Sequence, residues 1–170
     1  MKRLRDVGVI GSTLLVLLLV AGEASAQQFM PTGKDTLRGL PGVEVLVEPL
    51  PLELTQRLTG PAIAAAVTQQ LRAAGITIYP SQMQNPGPSK AYLYIHVTGF
   101  PMARQGDVLH VQAHVRQTLR SPVTSSDIVN AMTWDLETTI FAPVGTTAQA
   151  VGREVLALVS RFIQDWRSVH

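Results

Sequence analysis

The chain has 170 residues, with 14 Lys and Arg against 12 Asp and Glu, a net charge of +2, and no cysteine. Apolar residues make up 46% and charged residues 15%, a composition that excludes a disordered chain. The missing sulfur excludes a disulfide scaffold, cysteine-ligated zinc and iron–sulfur clusters.

The amino-terminal stretch reads as a targeting segment. Lys2, Arg3 and Arg5 form a positive region, and Val7 to Gly22 then runs 16 residues without a charge, followed by Ala24-Ser25-Ala26, a small-x-small site that signal peptidase accepts. A helix of that length spans about 24 Å, short of the roughly 30 Å hydrocarbon core. The expectation is a signal peptide over 1–26, with cleavage after Ala26 leaving 144 residues in the periplasm or outside the cell. The alternative is that Val7–Gly22 is retained as a membrane anchor facing the periplasm. A lipid anchor needs a cysteine after the apolar run, and there is none. Removing Lys2, Arg3 and Arg5 with Asp6 and Glu23 leaves 11 basic against 10 acidic residues, without the clustered Lys and Arg of a nucleic-acid surface.

Residues 27–42 are polar, with Pro31, Gly33 and Gly39, and read as a flexible leader; 43–170 read as one α/β domain. Val43–Val47 is β-branched and bounded by Pro49 and Pro51, the marks of a strand. Thr59 is placed as an N-cap with Pro61 in the first turn. Ile63, Val67, Leu71 and Ala74 follow at helical spacing, and Gly75 suits the residue just past the helix. A short strand, Ile76–Tyr79, comes next, and strand–helix–strand with tight joints predicts a parallel pair. Pro80–Lys90 holds three prolines and a glycine and is read as a loop.

Three alternating strands follow. Ala91–Phe100 sets Leu93, Ile95 and Val97 against Tyr92, Tyr94, His96 and Thr98. Val108–Leu119 sets Leu109, Val111, Ala113 and Val115 against His110, Gln112, His114, Arg116 and Thr118. Ala131–Phe141 sets Met132, Trp134, Leu136 and Ile140 inward, with Thr133, Asp135, Glu137 and Thr139 outward. Met102, Arg104 and Gln105 fall at a hairpin tip. Period-two alternation with one wet face is the habit of antiparallel sheets. The chain finishes in a helix with a capping box at Thr146 and Gln149 and a stripe of Val151, Val155, Leu158, Phe162, Trp166 and Val169. Trp134 and Trp166 fall at core-facing phases, and Arg153, Glu154, Arg161, Asp165 and Arg167 on a solvated face. The predicted class is α+β: a five-strand mixed, mostly antiparallel sheet with two helices on one face, in the order β-α-β-β-β-β-α.

No phosphate-binding glycine loop, H-E-x-x-H, G-x-S-x-G or EF-hand motif occurs. Gly39-Leu40-Pro41-Gly42 lacks the strand-to-helix context of a phosphate loop and reads as a turn. What remains is the polar sheet face: Tyr92, Tyr94, His96, His110, His114, Asp135 and Glu137, a candidate contact or ligand surface. Histidines beside carboxylates can bind metal or work as acid and base. His110 and His114 are four residues apart on one strand, about 13 Å at roughly 3.3 Å per residue, and cannot share an ion. His96 with one of them and Asp135 is the arrangement a metal would need.

The strings Leu37–Leu50 (LRGLPGVEVLVEPL), Leu71–Ile76 (LRAAGI), Ala91–Val97 (AYLYIHV) and Phe162–Val169 resemble a group of small exported bacterial proteins of unknown function. The element order is similar to envelope α/β modules such as the N-terminal domain of TolB-type proteins. The resemblance implies an exported envelope protein and assigns no residue a role. The functional expectation is a non-enzymatic accessory or assembly module of the envelope, with no cofactor and no nucleic acid, acting on an envelope protein partner. The alternatives are a ligand- or metal-binding periplasmic protein using the polar face, and a single-span anchored subunit of a membrane complex.

Overall fold

The computed structural model describes residues 33–55, 58–80, 91–121 and 123–170. The expected signal segment, the first residues of the leader and most of the Pro80–Lys90 loop lie outside them. The described residues belong to one compact unit that begins at Pro31.

A 3-10 turn, Gly33–Leu37, leads into β1, Gly42–Val47. A single turn of helix, α1 (Leu52–Thr55), precedes α2 (Gly60–Ala73), and β2 (Thr77–Ile78) follows directly. Three long strands come next: β3 (Ala91–Met102), β4 (Gly106–Arg120) and β5 (Asp127–Pro143). Helix α3, Thr147–Val169, ends the fold. The sheet order is β2-β1-β3-β4-β5. β1 pairs parallel with β2 and β3, and the β3-β4-β5 meander is antiparallel, as the α+β pattern predicts. No helix among the described residues is long and apolar enough to cross a membrane.

Local chemistry sets the ends of α2. The Thr59 hydroxyl accepts the Ala62 amide at 3.3 Å, satisfying one of the orphan donors of the first turn. At the other end Gly75 takes φ +82°; its amide reaches the Arg72 carbonyl and that of Ile76 reaches Leu71. This is the double bond of a Schellman cap, and it needs a residue that tolerates positive φ.

The core fills the space between the sheet and the helices. Val43, Leu93, Ile95, Val97, Leu109, Val111 and Val115 supply the sheet side. Ile63, Val67 and Leu71 of α2, with Val151, Val155, Val159, Phe162 and Trp166 of α3, supply the other. Trp134 and Trp166 both lie in this core, as their phases predict.

Four expectations are corrected. The leader is not free along its described part: Leu37 and Leu40 are buried, and Thr36 donates to the Thr133 carbonyl at 3.1 Å. Leu40 is also tied to the end of the chain, its carbonyl 3.2 Å from His170 Nε2. Met132 does not point inward; it is 55% exposed and lies opposite Arg116. The register jumps from Val115↔Trp134 to Arg116↔Met132, so Thr133 is an extra residue, and such a bulge reverses the face of everything beyond it. The predicted capping box does not form: the Thr146 hydroxyl donates to the Pro143 carbonyl at 2.8 Å and caps nothing. Finally, Asp165 is not merely solvated, because its carboxylate accepts the Trp134 indole N–H at 3.0 Å.

Candidate functional site

The face of β3, β4 and β5 turned away from the helices carries all seven residues singled out from sequence. Register arranges them in rows across the sheet. The first row is Glu44–Tyr92–Arg116–Met132, and the second is Leu46–Tyr94–His114–Asp135. His96–Gln112–Glu137 and Thr98–His110–Thr139 follow, and Phe100–Val108–Phe141 closes the face at one end.

The three histidines sit in three different settings. His96 Nδ1 lies 2.5 Å from Glu48 Oε2, an acid contributed by the end of β1. Glu48 also borders a cleft of about 350 Å³ between the end of β1 and the start of α2, with Val47, Leu50, Leu58, Thr59 and Pro61. His110 contacts two residues of β5: Nδ1 is 3.2 Å from the Thr139 hydroxyl, and Nε2 is 3.4 Å from the Glu137 carboxylate.

His114 is the buried member, only 3% exposed. Its ring stacks on Tyr94 with 5.2 Å between centroids and 6° between planes. The Arg116 guanidinium lies 5.3 Å from the Tyr94 centroid, a cation–π distance. Arg116 Nε donates to His114 Nε2 at 3.2 Å, so Nε2 must offer its lone pair and the ring proton sits on Nδ1. Buried Nδ1 has no hydrogen-bond partner among the described residues. Burial first, then the Arg116 charge, holds the imidazole below its ordinary pKa of 6.5, against weaker opposite pulls from Glu48 and Asp135. Tyr92 is pushed above its ordinary value by burial, then by Glu44, then by Tyr94.

Between the folded pKa of His114 and 6.5, the unfolded chain binds the proton and the folded chain resists it, so stability falls as the medium is acidified through that window. Above 6.5 the contribution is fully present. We expect urea unfolding at a series of pH values to show this loss, and His114→Gln to flatten the slope below pH 6.5. Parallel slopes for the two proteins would assign the acid sensitivity to other groups.

The sheet therefore brings His114 beside Tyr94 and His110 beside Glu137, and it sets His96 in the row next to His114, near enough for its charge to act on that ring. No cluster of three His, Asp or Glu able to hold a metal occurs among the described residues. His96, His110 and Asp135 do not converge, because His96 faces Gln112 across the sheet and His110 faces Thr98. Sequence reasoning missed Arg116 as a site residue, although it shares the phase of His110 and His114. It also missed Glu44 and Glu48, because the parallel register that sets β1 beside β3 leaves no local signal. The apolar row Phe100–Val108–Phe141 was missed as well. Phe100 is 60% and Phe141 52% exposed, with Met102 and Val144 also exposed at the same end.

The chain matches no protein-family model and no curated protein. Among the solved structures it is similar to are three from bacteria. One is a PelC variant from Paraburkholderia phytofirmans, a dodecamer, at 14% identity over 81% of this chain and 92% of that one, with a TM-score of 0.45. Another is a protein of Caulobacter crescentus CB15 described as a lipoprotein, at 15% identity over 80% and 96%, TM-score 0.33. The third is a minor lipoprotein of Acinetobacter baumannii, at 10% identity over 74% and 91%, TM-score 0.29. Two of the three are thus described as bacterial lipoproteins, whereas this chain has no cysteine to acylate.

Proposed function

We propose that this chain is an exported, non-enzymatic module of the bacterial envelope that works through protein contacts on its helix-free sheet face. The observation that carries this reading is the apolar row Phe100–Val108–Phe141, exposed beside a face rich in Tyr, His and Arg. Exposed apolar side chains gathered at one end of a surface, aromatic rings among them, are the composition of a protein-binding patch. Two of the three histidines of the face are paired with carboxylates, His96 with Glu48 and His110 with Glu137. Export rests on the segment 1–26, and the localisation proposed is the periplasm, or the outside, after cleavage following Ala26.

A photoreactive phenylalanine at position 141 tests the reading in the intact envelope, with position 153 on the outer side of α3 as the control. A discrete adduct joining 141 to a different protein, distinguished by mass from two linked copies of this chain, with none from 153, is the expected result. Equal labelling from both positions, or none from either, would overturn it. Intact mass of the purified protein tests export: the mass of residues 27–170 is expected, and full length in the membrane fraction would replace the free module by an anchored subunit.

A further inference from the structure

Among the described residues β5, 17 residues long, is an edge strand, and an edge presents a row of unpaired backbone donors and acceptors. Proteins blunt such edges with charged side chains, Lys above all, with Pro, with β-bulges or with a covering element. Here the bulge lies at Thr133, outside the stretch Trp134–Ala142, and the charges within that stretch are Asp135 and Glu137. Between Ile128 and Ala142 there is no Lys, Arg or Pro. At one end lies the bulge at Thr133, whose carbonyl is 3.1 Å from the Thr36 hydroxyl, a group that also reaches the Gly33 carbonyl at 2.7 Å. At the other, Pro143 has no N–H to give. Trp134–Ala142 is left between them, nine residues or about 30 Å of strand.

We propose that this stretch pairs antiparallel with the same stretch of a second copy, joining two sheets about a two-fold axis at Thr138. The stretch is symmetric about that residue, so a two-fold there uses all of it. Charge selects the same register. Asp135 and Glu137 are the acidic residues of the stretch, with no basic residue to offset them. Centring on Leu136 would oppose Asp135 to the second Glu137, and centring on Glu137 would oppose it to itself; like charges directly opposite are destabilising. Centring on Thr138 sets Glu137 against Thr139 and Asp135 against Phe141. On the helix side Leu136 then meets Ile140, two partly buried residues at the rim of the core, and Thr138 meets Thr138. An odd offset would put core-facing against outward-facing side chains and is excluded by the pleat. Phe141 lies on both this surface and the apolar row of the functional proposal, but the readouts are separate. The cysteine profile at 136–140 and light scattering test the pairing, and a 141 adduct with a different protein tests the functional proposal, so either can fail alone.

The chain has no cysteine, so single substitutions report without background. Leu136→Cys, Glu137→Cys, Thr138→Cys, Thr139→Cys and Ile140→Cys would be purified from the envelope as the cell processes them and oxidised mildly. Directly opposed residues have Cβ atoms about 4.5–5.5 Å apart and diagonal neighbours about 7–8 Å, so linkage at 138 should exceed that at 137 or 139 about fivefold or more. Light scattering of the unsubstituted protein should give a dimer, and Leu136→Lys should weaken it about tenfold or more while keeping its far-ultraviolet circular dichroism. A monomer, a higher oligomer, a flat cysteine profile or a maximum away from 138 would each overturn the proposal.

Discussion

Phe162→Ala is expected to cost about 3–5 kcal/mol, the range for removing a large aromatic side chain from a core. Phe162 has no exposed surface. Its ring meets Trp134 edge-on, with centroids 5.2 Å apart and 72° between planes, and Trp166 at 5.7 Å and 56°. One ring therefore holds β5 to α3 and one turn of α3 to the next. The substitution leaves a void that neither indole can fill, since Trp134 is fixed by its bond to Asp165 and Trp166 is stacked on His170 at 4.4 Å. These are the two tryptophans of the chain, so the folded protein reports the loss directly. Its emission should move to the red before any denaturant is added, and the urea midpoint should fall with little change in slope. An unshifted native spectrum with a loss below about 1 kcal/mol would mean that the site collapses around the smaller residue.

The second large effect is expected at Asp107, the second residue of β4. Asp107 is 7% exposed and accepts the hydroxyl of Thr147, itself fully buried at the start of α3. Helix α3 has no acidic residue in its own first turn, and its N-cap threonine makes no capping bond. The negative charge that suits the positive end of the helix dipole is supplied instead by a strand forty residues earlier. Asp107→Ala removes a hydrogen bond to a charged group, about 1.5–3 kcal/mol, and a favourable dipole contact. A loss of about 2–3 kcal/mol is expected. Asp107→Asn keeps the shape and an acceptor and should lose about half as much. Urea denaturation at neutral pH measures both, and equal losses for the two variants would show that packing, not charge, holds the helix start.

These two sites mark what was legible from residues alone. Phe162 and both tryptophans stood out because a helix stripe and a strand alternation are periodic, and period reports burial. The same rule placed Tyr92, Tyr94, His96, His110, His114, Asp135 and Glu137 on one face. It failed at Met132, where one extra residue at Thr133 reversed the phase without any change in composition. It did not reach Asp107, which precedes the predicted strand Val108–Leu119; the role of Asp107 exists only once α3 has returned to the sheet. The pairing of His96 with Glu48 and the docking of Leu37 and Leu40 have the same origin. Each joins segments far apart in the chain, and no local preference encodes which of them meet.

The mixed sheet has a consequence in time. β1 is an interior strand, yet Glu44 must wait for Tyr92 before that side of β1 is paired. The strands of the meander, from Ala91 to Pro143, close through short connections and can zip as they appear. A chain that leaves a ribosome or a translocation pore amino end first thus presents Val43–Val47 long before its partner is available. The order of emergence runs against the order of assembly, and a holding chaperone would find its substrate in the first strand made.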